Sequence, residues 1–124
     1  MVVKMVSVNE NEKNFRITKC RGFHITFPNG VTLSTQFGYI NYCENRYSEE
    51  YDDKNIIKFI TEHKALMDVE SDTVEVGIWD KNGEWITKKM AKEVFDKDID
   101  DDVMGWVTID KWIKIFDWCK NYRR

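Results

Sequence analysis

The stretch from Arg21 to Arg46, RGFHITFPNGVTLSTQFGYINYCENR, constrains the fold of this chain more than any other. Apolar residues alternate with polar ones on both sides of Pro28-Asn29-Gly30, which is the period of a half-buried β-strand. Proline presets the backbone at the first turn position, and Gly30 can take the left-handed conformation that closes a three-residue loop. The stretch therefore predicts a β-hairpin.

The length of the loop decides which side chains share a face of this hairpin. A three-residue loop places Phe27 opposite Val31 and Ile25 opposite Leu33, so the apolar rows of the two strands coincide. A two-residue Asn-Gly loop would put Phe27 opposite Thr32 and mix the faces, because a slip of one residue turns every side chain over. We therefore predict the three-residue loop. The second face of the hairpin then carries polar, uncharged side chains: His24, Thr26, Thr32, Ser34 and Gln36.

A second hairpin is predicted around Asp80-Lys81-Asn82-Gly83, again with glycine as the last loop residue. A three-residue loop here opposes Trp79 with Trp85 on one face and Ile78 with Ile86 on the other. Both faces are then apolar, so we expect this hairpin to be central in the sheet or covered by helices.

Three segments have the period of an amphipathic helix. An isoleucine-rich stripe predicts a helix from about Asp53 to Met67, and the run KKMAKEVF predicts a short helix at 88–95. The third helix is predicted to follow Thr108, which serves as its N-terminal cap. Its sheet-facing stripe is predicted to comprise Ile109, Trp112, Ile113, Phe116 and Cys119.

Two apolar residues of this C-terminal helix, Ile115 and Trp118, lie off the predicted stripe. Apolar residues on a second helical face indicate deeper burial or contact with a partner. We therefore name Ile115 and Trp118 as a candidate contact surface for a homo-oligomer.

These elements predict a single α+β domain that spans residues 1–124. We expect an antiparallel sheet of about five strands, built from the two Asn-Gly hairpins and packed by the C-terminal amphipathic helix. Further strands are predicted from Met1 to Val8 and from Phe15 to about Cys20. A chain of 124 residues is long enough to bury one hydrophobic core.

Charge and hydropathy exclude several classes of partner. The net charge of −3 gives no support to nonspecific nucleic-acid binding, which needs clustered lysine and arginine. No apolar run approaches the length of a membrane helix, and the first residues lack the apolar core of a signal peptide. We expect a protein of the cytoplasm without a membrane partner.

The three cysteines, Cys20, Cys43 and Cys119, are too few and too widely spaced for a disulfide framework, so we predict free thiols and no metal or other cofactor. A zinc site of Cys20, Cys43 and His24 is an alternative. An enzyme with Cys43 as nucleophile and His24 as base is another, but no catalytic motif accompanies the pair. The acidic run 96–101 resembles a calcium loop that lacks its turn glycine, and we interpret it as a solvated loop.

The segment Tyr39 to Arg46, which leaves the first hairpin, has neither the helix nor the strand period. Its asparagine, tyrosine and arginine side chains offer hydrogen bonds and stacking faces to a ligand. Alternatively, the asparagines satisfy the backbone of the loop itself. Arg46 is the best single anchor, because a guanidinium pairs bidentately with carboxylate or phosphate. With the adjoining polar face, the candidate binding residues are His24, Gln36, Asn41, Tyr42, Asn45 and Arg46.

The runs GFHITFPNGVTLSTQFGYINYCENR, VEVGIWDKNGEWI and DDVMGWVTIDKWIKIFDWCKN resemble a group of small, uncharacterised accessory proteins encoded by phages and prophages. The segments 47–66 and 88–96 lie outside this pattern. The resemblance implies a non-enzymatic protein that works in the host cytoplasm and inhibits a host defence system by binding a defence protein. Alternatives are sequestration of a signalling nucleotide and a minor role in phage structure or assembly.

Overall fold

The computed structural model describes residues 14–18, 21–46 and 70–123. Within these residues an antiparallel sheet of five strands packs with two helices, which agrees with the predicted α+β class. The predicted strand from Met1 to Val8, the predicted helix from Asp53 to Met67, and Cys20 lie outside the described residues. In chain order the elements are β1 (Phe15–Ile17), β2 (Gly22–Thr26), β3 (Thr32–Gln36), β4 (Thr73–Trp79), α1 (Thr87–Phe95), β5 (Val103–Thr108) and α2 (Ile109–Lys120).

The strands lie in the sheet in the same order as in the chain, and β2 and β3 form the first hairpin. Ile25 is opposite Leu33 in this hairpin, which is the register that a three-residue loop imposes. Gly30 has a φ of 88°, and the Asn29 side chain accepts the Val31 N–H at 3.0 Å. The Asn29 amide also donates to the carbonyl of Cys119 at 2.8 Å, so the turn caps the end of α2.

The second hairpin is shorter than its sequence suggests. Trp79 and Trp85 form a single bridge, and α1 then begins at Thr87. The backbone N–H of Ile78 donates to the side-chain hydroxyl of Thr87 at 2.9 Å. A paired return strand would supply a backbone carbonyl oxygen at this position instead. The predicted return strand is therefore reduced to this bridge.

The fifth strand of the sheet is β5, a segment that the sequence did not predict as a strand. Its pairing with β4 is irregular between Val74 and Val76, and Trp106 in β5 has a positive φ of 56°. Such a β-bulge breaks the two-residue alternation by which strands are recognised.

The sheet-facing stripe predicted for α2 is partly wrong. Cys119 is fully buried as predicted, but so is Ile115, which lies off the predicted stripe, whereas Ile109 and Ile113 are 63% and 56% exposed. The helix is thus rotated relative to the prediction, with half-buried Trp112 beside the buried pair. A homo-oligomer surface that includes Ile115 is also wrong, because this side chain lies in the core.

The hydrophobic core lies between one face of the sheet and the two helices. Trp112 is fixed on this face by a hydrogen bond from its indole N–H to the Thr35 hydroxyl at 2.9 Å. Thr108 occupies the predicted cap position of α2, but its side chain makes no capping hydrogen bond. The fully buried core residues include Leu33, Val76, Ile78, Met90, Ala91 and Ile115.

Candidate functional site

The residues 37–46, called here the 37–46 loop, are held against the sheet by β4. The Glu75 carboxylate accepts the Tyr42 backbone N–H at 3.0 Å and the Asn41 side-chain amide at 3.3 Å. Glu75 lies on the face opposite the core, because Val74 and Val76 on either side of it contact the core. Burial raises the pKa of the Glu75 carboxyl, and the hydrogen bonds from Tyr42 and Asn41 offset this only in part.

The two asparagine side chains of the loop are engaged within the protein. Asn41 accepts the Gly38 N–H at 2.8 Å, in addition to its contact with Glu75. Asn45 donates to the carbonyls of Phe37 and Glu70 at 2.7 and 2.8 Å. These contacts correspond to the alternative in which the asparagines satisfy backbone groups. Direct contact of Asn41 and Asn45 with a ligand stays a prediction.

His24 and Gln36 lie on the same face of the sheet as Glu75, in β2 and β3. His24 is buried, and its ring is edge-on to Trp79 with centroids 5.1 Å apart. Burial, and secondly the charge of Arg16, lower the pKa of His24 to about 4. The Gln36 amide donates to the Ser34 hydroxyl at 3.2 Å and accepts from Thr18 at 2.9 Å.

The thiol of Cys43, the candidate nucleophile, is fully buried and lies 3.5 Å from the Gly38 carbonyl oxygen, to which it donates. Burial raises its pKa, the opposite of what activates a cysteine nucleophile. The lowered pKa of His24 likewise disfavours its imidazolium form and makes it a weaker base. Within residues 14–18, 21–46 and 70–123, no three histidine, cysteine or acidic side chains are grouped to hold a metal.

Tyr42 is exposed at the surface of the loop, and half-buried Arg46 lies against its ring. Tyr42 is 42% exposed, and the guanidinium of Arg46 lies 4.4 Å from the centroid of its ring. Arg46 also donates to the carbonyl of Ile40 at 3.0 Å. These contacts hold both side chains in defined positions at the surface.

Trp106, which sequence analysis did not select, adjoins this pair. Its backbone N–H donates to the Tyr42 carbonyl at 2.8 Å, and its side chain is 54% exposed. A Cβ atom on the preceding Gly105 would lie 2.5 Å from the Cβ of Tyr42, so only glycine fits there. We call Ile40, Tyr42, Arg46 and Trp106 the Tyr42 patch.

The left-handed backbone of Trp106 is rare for a bulky residue. Such a conformation costs roughly 1–3 kcal/mol and occurs most often at functional sites. One signal in the sequence points to it, since a glycine inside a strand, here Gly105, often marks a bulge.

Comparison of the chain with protein-family models, with curated proteins and with solved structures yields no match. The resemblance to phage and prophage accessory proteins therefore stays a prediction. In the described part of the chain, neither helix has the length and apolar character needed to cross a membrane.

Proposed function

We propose that the protein is a non-enzymatic binding protein that contacts another protein through the Tyr42 patch. The observation that carries this proposal is Trp106, a large aromatic side chain that is held exposed by a strained backbone. Tryptophan, tyrosine and arginine are the residues most enriched among those that dominate the energy of protein interfaces. All three stand together in this patch, and they are positioned before any partner arrives, which reduces the entropy lost on binding.

The proposed partner is a defence protein in the cytoplasm of a bacterial host, which the resemblance to phage accessory proteins supports. The net charge of −3 favours a partner with a basic surface, and raised salt should then slow association. His24, Gln36, Asn41 and Asn45 have a supporting role in this proposal. Their hydrogen bonds and packing hold the sheet face and the loop from which Tyr42 and Arg46 project.

The partner can be sought by affinity capture from host lysate and then purified for titration. Trp106→Ala and Arg46→Ala should each weaken its binding by about 30-fold or more, as expected for residues that dominate an interface. Ile113→Ala is the matched control, because it removes an equally exposed apolar side chain from α2, on the other side of the sheet. If the first two variants bind with unchanged affinity and Ile113→Ala binds more weakly, the interface lies on the helices instead.

A further inference from the structure

A groove with a volume of about 510 Å³ runs between α1 and α2. It lies on the helix-covered side of the sheet, whereas the 37–46 loop lies on the opposite side. The groove is therefore independent of the Tyr42 patch. Its volume is within the range of pockets that hold small molecules.

One part of the groove is aromatic. Trp118 and Tyr122 are half-buried, and their ring centroids are 4.9 Å apart. The side chain of Val94 from α1 adds an aliphatic contact. Aromatic faces of this kind stack on flat rings, including those of nucleobases, with little dependence on ring identity.

The groove has an excess of positive charge, because Lys89, Lys114 and Arg123 line it against the two carboxylates of Glu93 and Asp117. The Glu93 carboxylate accepts the Trp118 indole N–H at 2.9 Å, and Asp117 forms an ion pair with Lys120 at 3.3 Å. Among the described residues neither Lys114 nor Arg123, which both line the groove, forms an ion pair.

Lys89 supplies a third positive charge at the edge of the aromatic pair. Its ammonium group lies 5.1 Å from the centroid of the Tyr122 ring and 3.4 Å from the Tyr122 hydroxyl. A cation held over one aromatic ring is still able to bind an anion, since it has donors to spare. The groove thus combines flat apolar surface with three cations, which outnumber its two carboxylates by one.

We propose that this groove binds a small anion that carries an aromatic ring, with the ring against Trp118 and Tyr122 and the anionic group between Lys114 and Arg123. Nucleoside monophosphates are suitable probes of this chemistry, because they join a flat base to a phosphate. Arginine and lysine both bind phosphate, arginine in a bidentate manner.

Isothermal titration of the full chain with the four ribonucleoside monophosphates tests the proposal. At least one should bind, and the corresponding nucleoside and inorganic phosphate should each bind about tenfold more weakly, because each has only half of the recognised chemistry. Absence of binding by all four at millimolar concentration would overturn the proposal.

Variants then locate the site. The double substitution Lys114→Gln with Arg123→Gln should weaken binding about tenfold or more, since it removes both charge-assisted contacts. Lys111→Gln is the matched control, because Lys111 is an exposed cation on α2 that does not line the groove. Equal losses in the double variant and the control would indicate a general charge effect and overturn the assignment. Thermal unfolding of each variant checks that the fold is intact.

Discussion

The two faces of the sheet are built from the same strands but stabilised by different interactions. On the helix-covered face, Val76 and Ile78 of β4 are fully buried among apolar side chains. On the opposite face, Glu75 of the same strand is held by hydrogen bonds to the 37–46 loop, and His24 lies against Trp79. Apolar contacts tolerate many arrangements, whereas each buried polar group needs a particular partner. The polar face is therefore the one that specifies the position of the surface loop.

The largest expected effect is a loss of stability when a core residue on the helix-covered face of the sheet is truncated. Ile115→Ala should lower the free energy of unfolding by about 2–5 kcal/mol, because it opens a cavity in the core. Ile113→Ala should change it by about 0.5 kcal/mol or less, because that side chain is exposed on the same helix. Urea unfolding of both variants measures the difference. Equal losses would contradict the orientation of α2.

The next effect concerns His24 on the polar face. In the folded protein the pKa of His24 is lowered to about 4, whereas in the unfolded chain it has its ordinary value of 6.5. Between these pH values the unfolded chain binds an additional proton, so stability should fall as the pH falls through this window. The full loss should be on the order of 3 kcal/mol.

Unfolding free energies measured from pH 7 to pH 4 test this, with His24→Asn as the control. The carboxylates and the second histidine are present in both proteins, so the difference between their pH profiles isolates His24. Parallel profiles would mean that the folded protein does not keep His24 neutral.

The smallest effect concerns the strained backbone of Trp106. At a φ of 56°, Trp106→Gly should be more stable than Trp106→Ala by about 1 kcal/mol, because glycine has no Cβ to penalise this conformation. Comparison of two small residues at one position cancels the loss of the indole. Urea unfolding of the two variants measures the difference. If the midpoint of Trp106→Ala equals or exceeds that of Trp106→Gly, the left-handed conformation is not retained.

The sequence was sufficient to predict those parts of the fold that local chemistry determines. The tripeptide Pro28-Asn29-Gly30 sets the register of the first hairpin, and the apolar period of 88–95 indicates α1 (Thr87–Phe95). The rotation of α2 about its axis could not be predicted from the sequence, because Trp112 and Phe116 belong to two overlapping apolar stripes. Cys119 was predicted to share a stripe with Ile109 and Ile113, but packing against α1 and the sheet buries it with Ile115 instead.

Only part of the candidate site could be predicted from the sequence. Tyr42 and Arg46 stand out by residue type in an irregular segment; Tyr42 is exposed, and half-buried Arg46 lies against its ring. Asn41 and Asn45 have the same polar character, but their amides hold the backbone. Trp106 was missed because exposure of a tryptophan contradicts its usual burial, and only a tertiary contact with Tyr42 fixes its position.

The bulge in β5 also affects what can add to the edge of the sheet. β5 is an outer strand of the described sheet, and a straight outer strand presents a template on which a strand of another molecule can add. The left-handed residue Trp106 bends that template, and its N–H is already bonded to Tyr42. An incoming strand would therefore find an incomplete row of backbone hydrogen-bonding groups along β5. The distortion that exposes the tryptophan thus also makes this edge a poorer template for the addition of another strand.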